Sequence, residues 1–176
     1  MPDHLTRRGL ITSTLITGSF LVLGERMTLT PAKAAEIGFT PDNLNTLQLK
    51  AIETVAEHIV PGSSRAGIAP YIDSQLNSGE HSLLIGKYLG VDISGQIAFY
   101  QGLADNLIAA LKTEQSIEET VGALWGDALE TWEGPPSSYM LFVLRADALD
   151  VTYGTPEGFE TLGIPYMAHI MPETPW

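Results

Sequence analysis

Cysteine is absent from the 176-residue chain. That excludes disulfides, thiol catalysis, covalently attached c-type haem and cysteine-ligated iron–sulfur clusters within it. Positive charge is scarce: 9 Lys and Arg stand against 21 Asp and Glu, a formal net charge of −12. A surface of that sign repels phosphate backbones and anionic lipid, which argues against nucleic acid as a partner. Metal-ligand spacing is missing as well. His4, His58, His81 and His169 form no His-x-x-x-His pair and no Glu-x-x-His, the spacings that put two ligands on one helix face. There is no Gly-x-Gly-x-x-Gly after a strand, no Gly-x-Ser-x-Gly and no phosphate-binding loop. Alternating strand-like stretches and internal repeats are also lacking.

What is present begins with the first 34 residues. Arg7 and Arg8 lie between Thr6 and the apolar pair Leu10-Ile11, an arrangement that resembles the twin-arginine export signal. The following run, Gly9 to Leu23, is diluted by Thr12, Ser13, Thr14, Thr17, Gly18 and Ser19. A membrane-spanning helix needs about 20 predominantly apolar residues, so this run is too short and soft for a permanent anchor. Ala32-Lys33-Ala34 has the small-x-small form that a signal peptidase reads, and cleavage is expected after Ala34. The sequence thus divides into a signal peptide, 1–34, and a body, 35–176, of 142 residues, enough for one domain with its own core. Four of the basic residues (Arg7, Arg8, Arg26, Lys33) and two of the acidic ones (Asp3, Glu25) fall in the leader, so the body carries a net charge of −14. The expected compartment is the periplasm, reached in folded form.

The body reads as all-α: a helical domain of about five helices. The first is expected to open at Thr40-Pro41 and to bury Leu44, Leu47, Ala51, Ile52, Val55 and Ile59. Turn chemistry fills 61–67, and a short helix carrying Ile68, Ile72 and Leu76 follows. Residues 80–95 are ambiguous. A clearer helix spans Gly95 to Lys112. Ser116 and Glu119 have capping-box spacing ahead of a helix reaching Trp132. The last strong helix covers about Ser137 to Thr152, with Tyr139, Phe142, Val143, Ala146 and Leu149 inward. From Tyr153 onward, glycines and prolines alternate with aromatic residues, which predicts an extended, irregular arm over 153–176 that wraps the body or a partner.

Candidate chemistry is thin. Each histidine reads as a surface or hydrogen-bonded structural residue. The carboxylate pairs Glu53/Glu57 and Asp147/Asp150 have helical spacing, but so acidic a chain produces such pairs by chance, and a solvated face is the simpler reading. Trp125 and Trp132 read as core. Arg145 is the only basic residue after Lys112. It predicts either an ion pair with Asp73 or Asp147 or a docking contact. With Tyr153, Phe159, Tyr166 and Trp176 it forms the expected partner interface, since aromatics and arginine concentrate at binding hot spots.

Three stretches carry a resemblance: Thr6-Arg-Arg-Gly-Leu10, the block Ile52–Leu76 with Ile59-Val-Pro61 and Tyr71-Ile-Asp73, and the end from Phe142 to Pro172 with Tyr153-Gly-Thr-Pro156 and Leu162-Gly-Ile-Pro165. Together they resemble the gluconate 2-dehydrogenase subunit 3 family, the small subunit of bacterial FAD-dependent sugar and polyol dehydrogenases. The chain departs from that family in lacking its Gly-Gly-Asn and Gly-Trp elements. The resemblance implies a non-catalytic subunit that escorts an FAD-containing large subunit through the twin-arginine translocase and stays bound to it. A multihaem cytochrome c subunit would pass electrons to the membrane, and no cofactor would sit in this chain. The competing reading is a free-standing periplasmic helical module, binding a small ligand between helices or acting as a scaffold. A hydrolase or lyase using Asp73 and His58 has no support in the spacing.

Overall fold

The computed structural model describes residues 16–78 and 83–163. In chain order its elements are β1 (Gly18–Val22), β2 (Glu25–Leu29), α1 (Pro31–Ile37), α2 (Thr46–Ile59), α3 (Ser63–Ala66), α4 (Ile68–Ser78), α5 (Leu84–Lys87), α6 (Ile93–Leu111), α7 (Ile117–Trp125), α8 (Ser137–Tyr153) and α9 (Pro156–Thr161). The described residues therefore hold nine helices, not about five. Helices α1, α3, α5 and α9 are one or two turns long, too short for a hydrophobic period to register, and sequence reasoning left them to loops, leader or arm.

A further correction concerns β1 and β2, which pair antiparallel with Gly18 opposite Leu29 and Val22 opposite Glu25. Leu23 and Gly24 form the turn, with φ of 50° and 87°. Left-handed geometry at both central residues matches the right-handed twist of the flanking strands. The stretch reads as the apolar run of an export signal because Leu21, between buried Phe20 and Val22, puts an apolar residue on the opposite face and hides the alternation of a strand. Phe20, Val22 and Ala34 form a small apolar cluster of their own with Leu29 and Phe39. Phe20 meets Phe39 edge-on at 6.1 Å.

The main core is built on α8, which packs against α2, α3, α4, α5, α7 and α9. Met140, Leu141, Val143, Leu144, Ala148 and Val151 supply its inner face. Helix α6 closes the other side against α2, contributing Tyr100, Leu103, Ala104 and Leu107. Helix α4 is buried at every position from Ile68 to Leu76 because β1 and α1 cover the side turned away from α2 and α8. Gly67, just before it, has φ +85°, and a Cβ there would lie 2.3 Å from the carbonyl of Pro31. Only glycine allows the two backbones that close.

Local signals set the helix starts. The first long helix opens at Thr46, not Thr40-Pro41, because the Asp73 carboxylate holds the preceding chain out of helical form. Its oxygens accept the backbone N–H of Asp42 (2.8 Å), Asn43 (2.9 Å) and Leu44 (3.0 Å). Asn45 and Gln48 then complete a capping box. The Ser116/Glu119 box is present as expected, with N···O distances of 2.9 and 3.2 Å. Its helix stops at Trp125, short of Trp132. Asp127, at φ 50°, accepts the backbone N–H of Ser138 at 2.8 Å and so caps α8.

The arm expected over 153–176 is corrected in part: Thr155 caps α9, accepting the Gly158 N–H at 3.1 Å. Residues 164–176 lie outside the described residues. No helix among the described residues is long and apolar enough to cross a membrane.

Candidate functional site

Helix α8 is apolar on two sides. Tyr139, Phe142 and Leu149 are 38%, 54% and 39% exposed, and with half-buried Ala146 they recur at three- and four-residue steps. That spacing places them in one row, about 15 Å long at a rise of 1.5 Å per residue. Four of the five residues expected to face inward are thus on this row, and the fifth, Val143, is buried as expected. The hydrophobic period was readable, but both faces satisfy it, and the side that turns in, with Met140, Leu144 and Ala148 buried, is set by the helices that pack on α8. Phe99 of α6 extends the row, edge-on to Tyr139 at 6.3 Å.

Arg145 is exposed and flanks this row, one helical step from Phe142 and Leu149. Neither expected ion pair forms. Asp73 is committed to three backbone amides, and Asp147 points the other way into the core. Among the described residues the ion pairs are Arg26–Asp42 (2.8 Å), Lys33–Glu36 (2.7 Å) and Lys50–Glu53 (2.8 Å). Arg145 and Arg65 have no ion-pair partner among the described residues, in a chain with more than twice as many acids as bases. An apolar row flanked by an uncommitted guanidinium has the composition of a protein-docking hot spot.

Buried beneath the row, Asp147 is 1% exposed. It accepts the Leu84 N–H at 2.9 Å and a short hydrogen bond from the Tyr100 hydroxyl. Burial outweighs these donors and pushes its carboxyl up to about 7. Tyr100 is raised well above the usual phenol value by burial and by Asp147, and Tyr71 is raised by burial and the same carboxylate. The cluster ties α5, α6 and α8 together. It is closed to solvent, which suits a structural tie better than an acid–base centre. Glu57, despite its own burial, is lowered by accepting the N–H of Gly62 and Ser64 at 2.9 and 2.8 Å. It caps the loop into α3, and Glu53 pairs with Lys50, so neither serves as half of a catalytic pair.

The other expected site residues are dispersed. Ala32 is exposed, whereas Ala34 is 0% exposed within α1, docked on α4. Tyr153 and Phe159 are half-buried at the C-terminal end of α8 and on α9. Arg7, Arg8, Tyr166 and Trp176 lie outside the described residues, as do His4, His81 and His169. His58 is half-buried on α2. Trp125 is 39% exposed rather than core, and Trp132 is half-buried, donating its indole N–H to Pro135 O at 2.8 Å. No group of three or more His, Asp or Glu side chains among the described residues is placed to hold a metal ion.

Sequence reasoning missed a cavity of about 300 Å³ between the N-terminal segment and the α8–α9 corner. Ile16, Pro31, Pro61, Ala66, Val151 and Tyr153 make it largely apolar, and Arg65 and Thr152 line it as well. Four separate stretches of chain compose it, so no local motif announces it. Comparison with known proteins found no matching family model, no matching curated protein and no matching solved structure.

Proposed function

We propose that this chain acts by binding rather than by chemistry, as an exported helical scaffold that holds a protein partner on the outer face of α8. The observation that carries the reading is the exposed row Tyr139–Phe142–Ala146–Leu149 flanked by Arg145, which has no ion-pair partner among the described residues. Exposed apolar rows on a helix that is already the hub of a core mark interaction surfaces. Aromatics and arginine are the residues whose truncation costs most at such surfaces.

The partner proposed on the sequence resemblance is an FAD-containing dehydrogenase subunit that oxidises a sugar, sugar acid or alcohol, with a multihaem cytochrome c as the further electron carrier. In this reading the chain lends the flavoprotein its twin-arginine signal and remains bound in the periplasm. Changing Arg7-Arg8 to Lys-Lys would then strand both chains in the cytoplasm. A flavoprotein that still reached the periplasm in that variant would remove the escort role. The alternative, a free-standing periplasmic scaffold, predicts that the natively expressed chain elutes as a monomer without flavin absorbance. Size-exclusion chromatography with flavin detection separates the two.

A further inference from the structure

We infer that the cavity at the α8–α9 corner is a binding site for a small organic monocarboxylate with an aliphatic body. Its volume, about 300 Å³, lies at the lower end of the range for ligand pockets, roughly 300–1,000 Å³, which sets the ligand as small. Pro31, Pro61, Ala66 and Val151 give it walls that favour an apolar body over a sugar or a nucleotide. One charged group in this lining, the exposed Arg65 guanidinium, lies outside every ion pair among the described residues.

An arginine fork matches the two oxygens of a carboxylate. One arginine in a strongly acidic protein compensates a single negative charge, so a phosphate dianion suits the site less well.

The site spans two parts of the chain. Ile16, Thr30, Pro31 and Ala32 come from the N-terminal segment, which has a small apolar cluster of its own and also packs on the main core through Ile16 and Phe39, and the remaining walls come from 61–66 and 151–161. A ligand bound between them stabilises the docked segment over the undocked one by mass action. Occupancy therefore protects the stretch around Ala32 and Ala34 from proteolysis, a consequence that α8 docking does not share.

The test titrates the full chain with octanoate and, separately, with octan-1-ol by calorimetry, for wild type, Arg65→Gln and Ala32→Trp. Ala32 is exposed at the cavity edge, so the bulky replacement fills the mouth with little effect on the core. Saturable octanoate binding that weakens tenfold or more in Arg65→Gln, is lost in Ala32→Trp, and slows protease cleavage within 16–38 supports the site. Equal affinity for octanoate and octan-1-ol overturns the carboxylate assignment. Absence of saturable octanoate binding to the wild-type chain at low-millimolar concentration overturns the site.

Discussion

Replacing Asp147 with asparagine keeps the shape of the buried side chain and removes its charge. The carboxyl lies about 3 pH units above its ordinary value, at about 7 against 3.8. Between those two values the unfolded chain has released this proton and the folded chain retains it. Stability therefore falls as pH rises, by about 1.4 kcal/mol per unit for one proton. This contribution is complete below pH ~3.8 and is lost as pH climbs through about 7. From pH 5 to pH 8 the wild-type chain should lose roughly 3 kcal/mol through this group alone, a large part of a typical domain stability of 5–15 kcal/mol. The groups facing Asp147 are Tyr100, Tyr71 and Asp150. The two tyrosines are held above their usual range, so they do not titrate in that window. Glu57 and Asp127 are lowered, so their contributions fade only as pH falls below about 5.

Asparagine still offers an oxygen to the Leu84 N–H, and its amide can donate to the Tyr100 hydroxyl. The assay is urea denaturation of both proteins at four pH values from 5 to 8. The stability difference, variant minus wild type, should rise by roughly 3 kcal/mol across the series, with the variant favoured at pH 8. A difference that stays constant within ~0.5 kcal/mol would show that Asp147 is already ionised at pH 5.

Three further outcomes follow from the same geometry. Asp73→Ala removes the acceptor of three backbone amides and should cost about 2–4 kcal/mol in denaturant unfolding; a loss below ~0.5 kcal/mol would mean water replaces it freely. Gly67→Ala places a methyl group against the Pro31 carbonyl at a left-handed position, so the 18–38 segment should detach and become protease-sensitive while α2, α6 and α8 stay protected in hydrogen exchange. Loss of protection throughout would show that the small apolar cluster and the main core fold as one unit. Arg145→Ala should leave unfolding stability within ~0.5 kcal/mol of wild type, since the side chain is exposed and unpaired; a larger loss would reveal an ion pair in the native state.

How far the fold was legible depended on how local each cause is. The Ser116/Glu119 box and the long period of α6 are written within a few residues, and both appear where the sequence places them. Thr40-Pro41 carried a good helix-start signal and lost, because Asp73, about thirty residues downstream, captures the amides of 42–44. Asn45-x-x-Gln48 was the better signature, but it stood in the shadow of the proline. Which face of α8 turns inward could not be read from α8, whose two sides are both apolar. The Tyr100–Asp147 pair joins residues 47 apart in sequence, and the cavity joins four stretches. Neither leaves a spacing to recognise. Arg145 was singled out by its rarity alone, and it is exposed beside the apolar row.

The most direct test of binding through α8 is co-purification of the natively expressed full chain and of a Phe142→Ala/Arg145→Ala variant, each examined for a larger partner with flavin absorbance. The account predicts a stoichiometric flavoprotein with the wild-type chain. It predicts at least a ~30-fold weaker complex with the variant, the equivalent of one hot spot of about 2 kcal/mol, with folding unchanged. A wild-type chain that emerges alone, or a variant that retains the flavoprotein equally well, would contradict it.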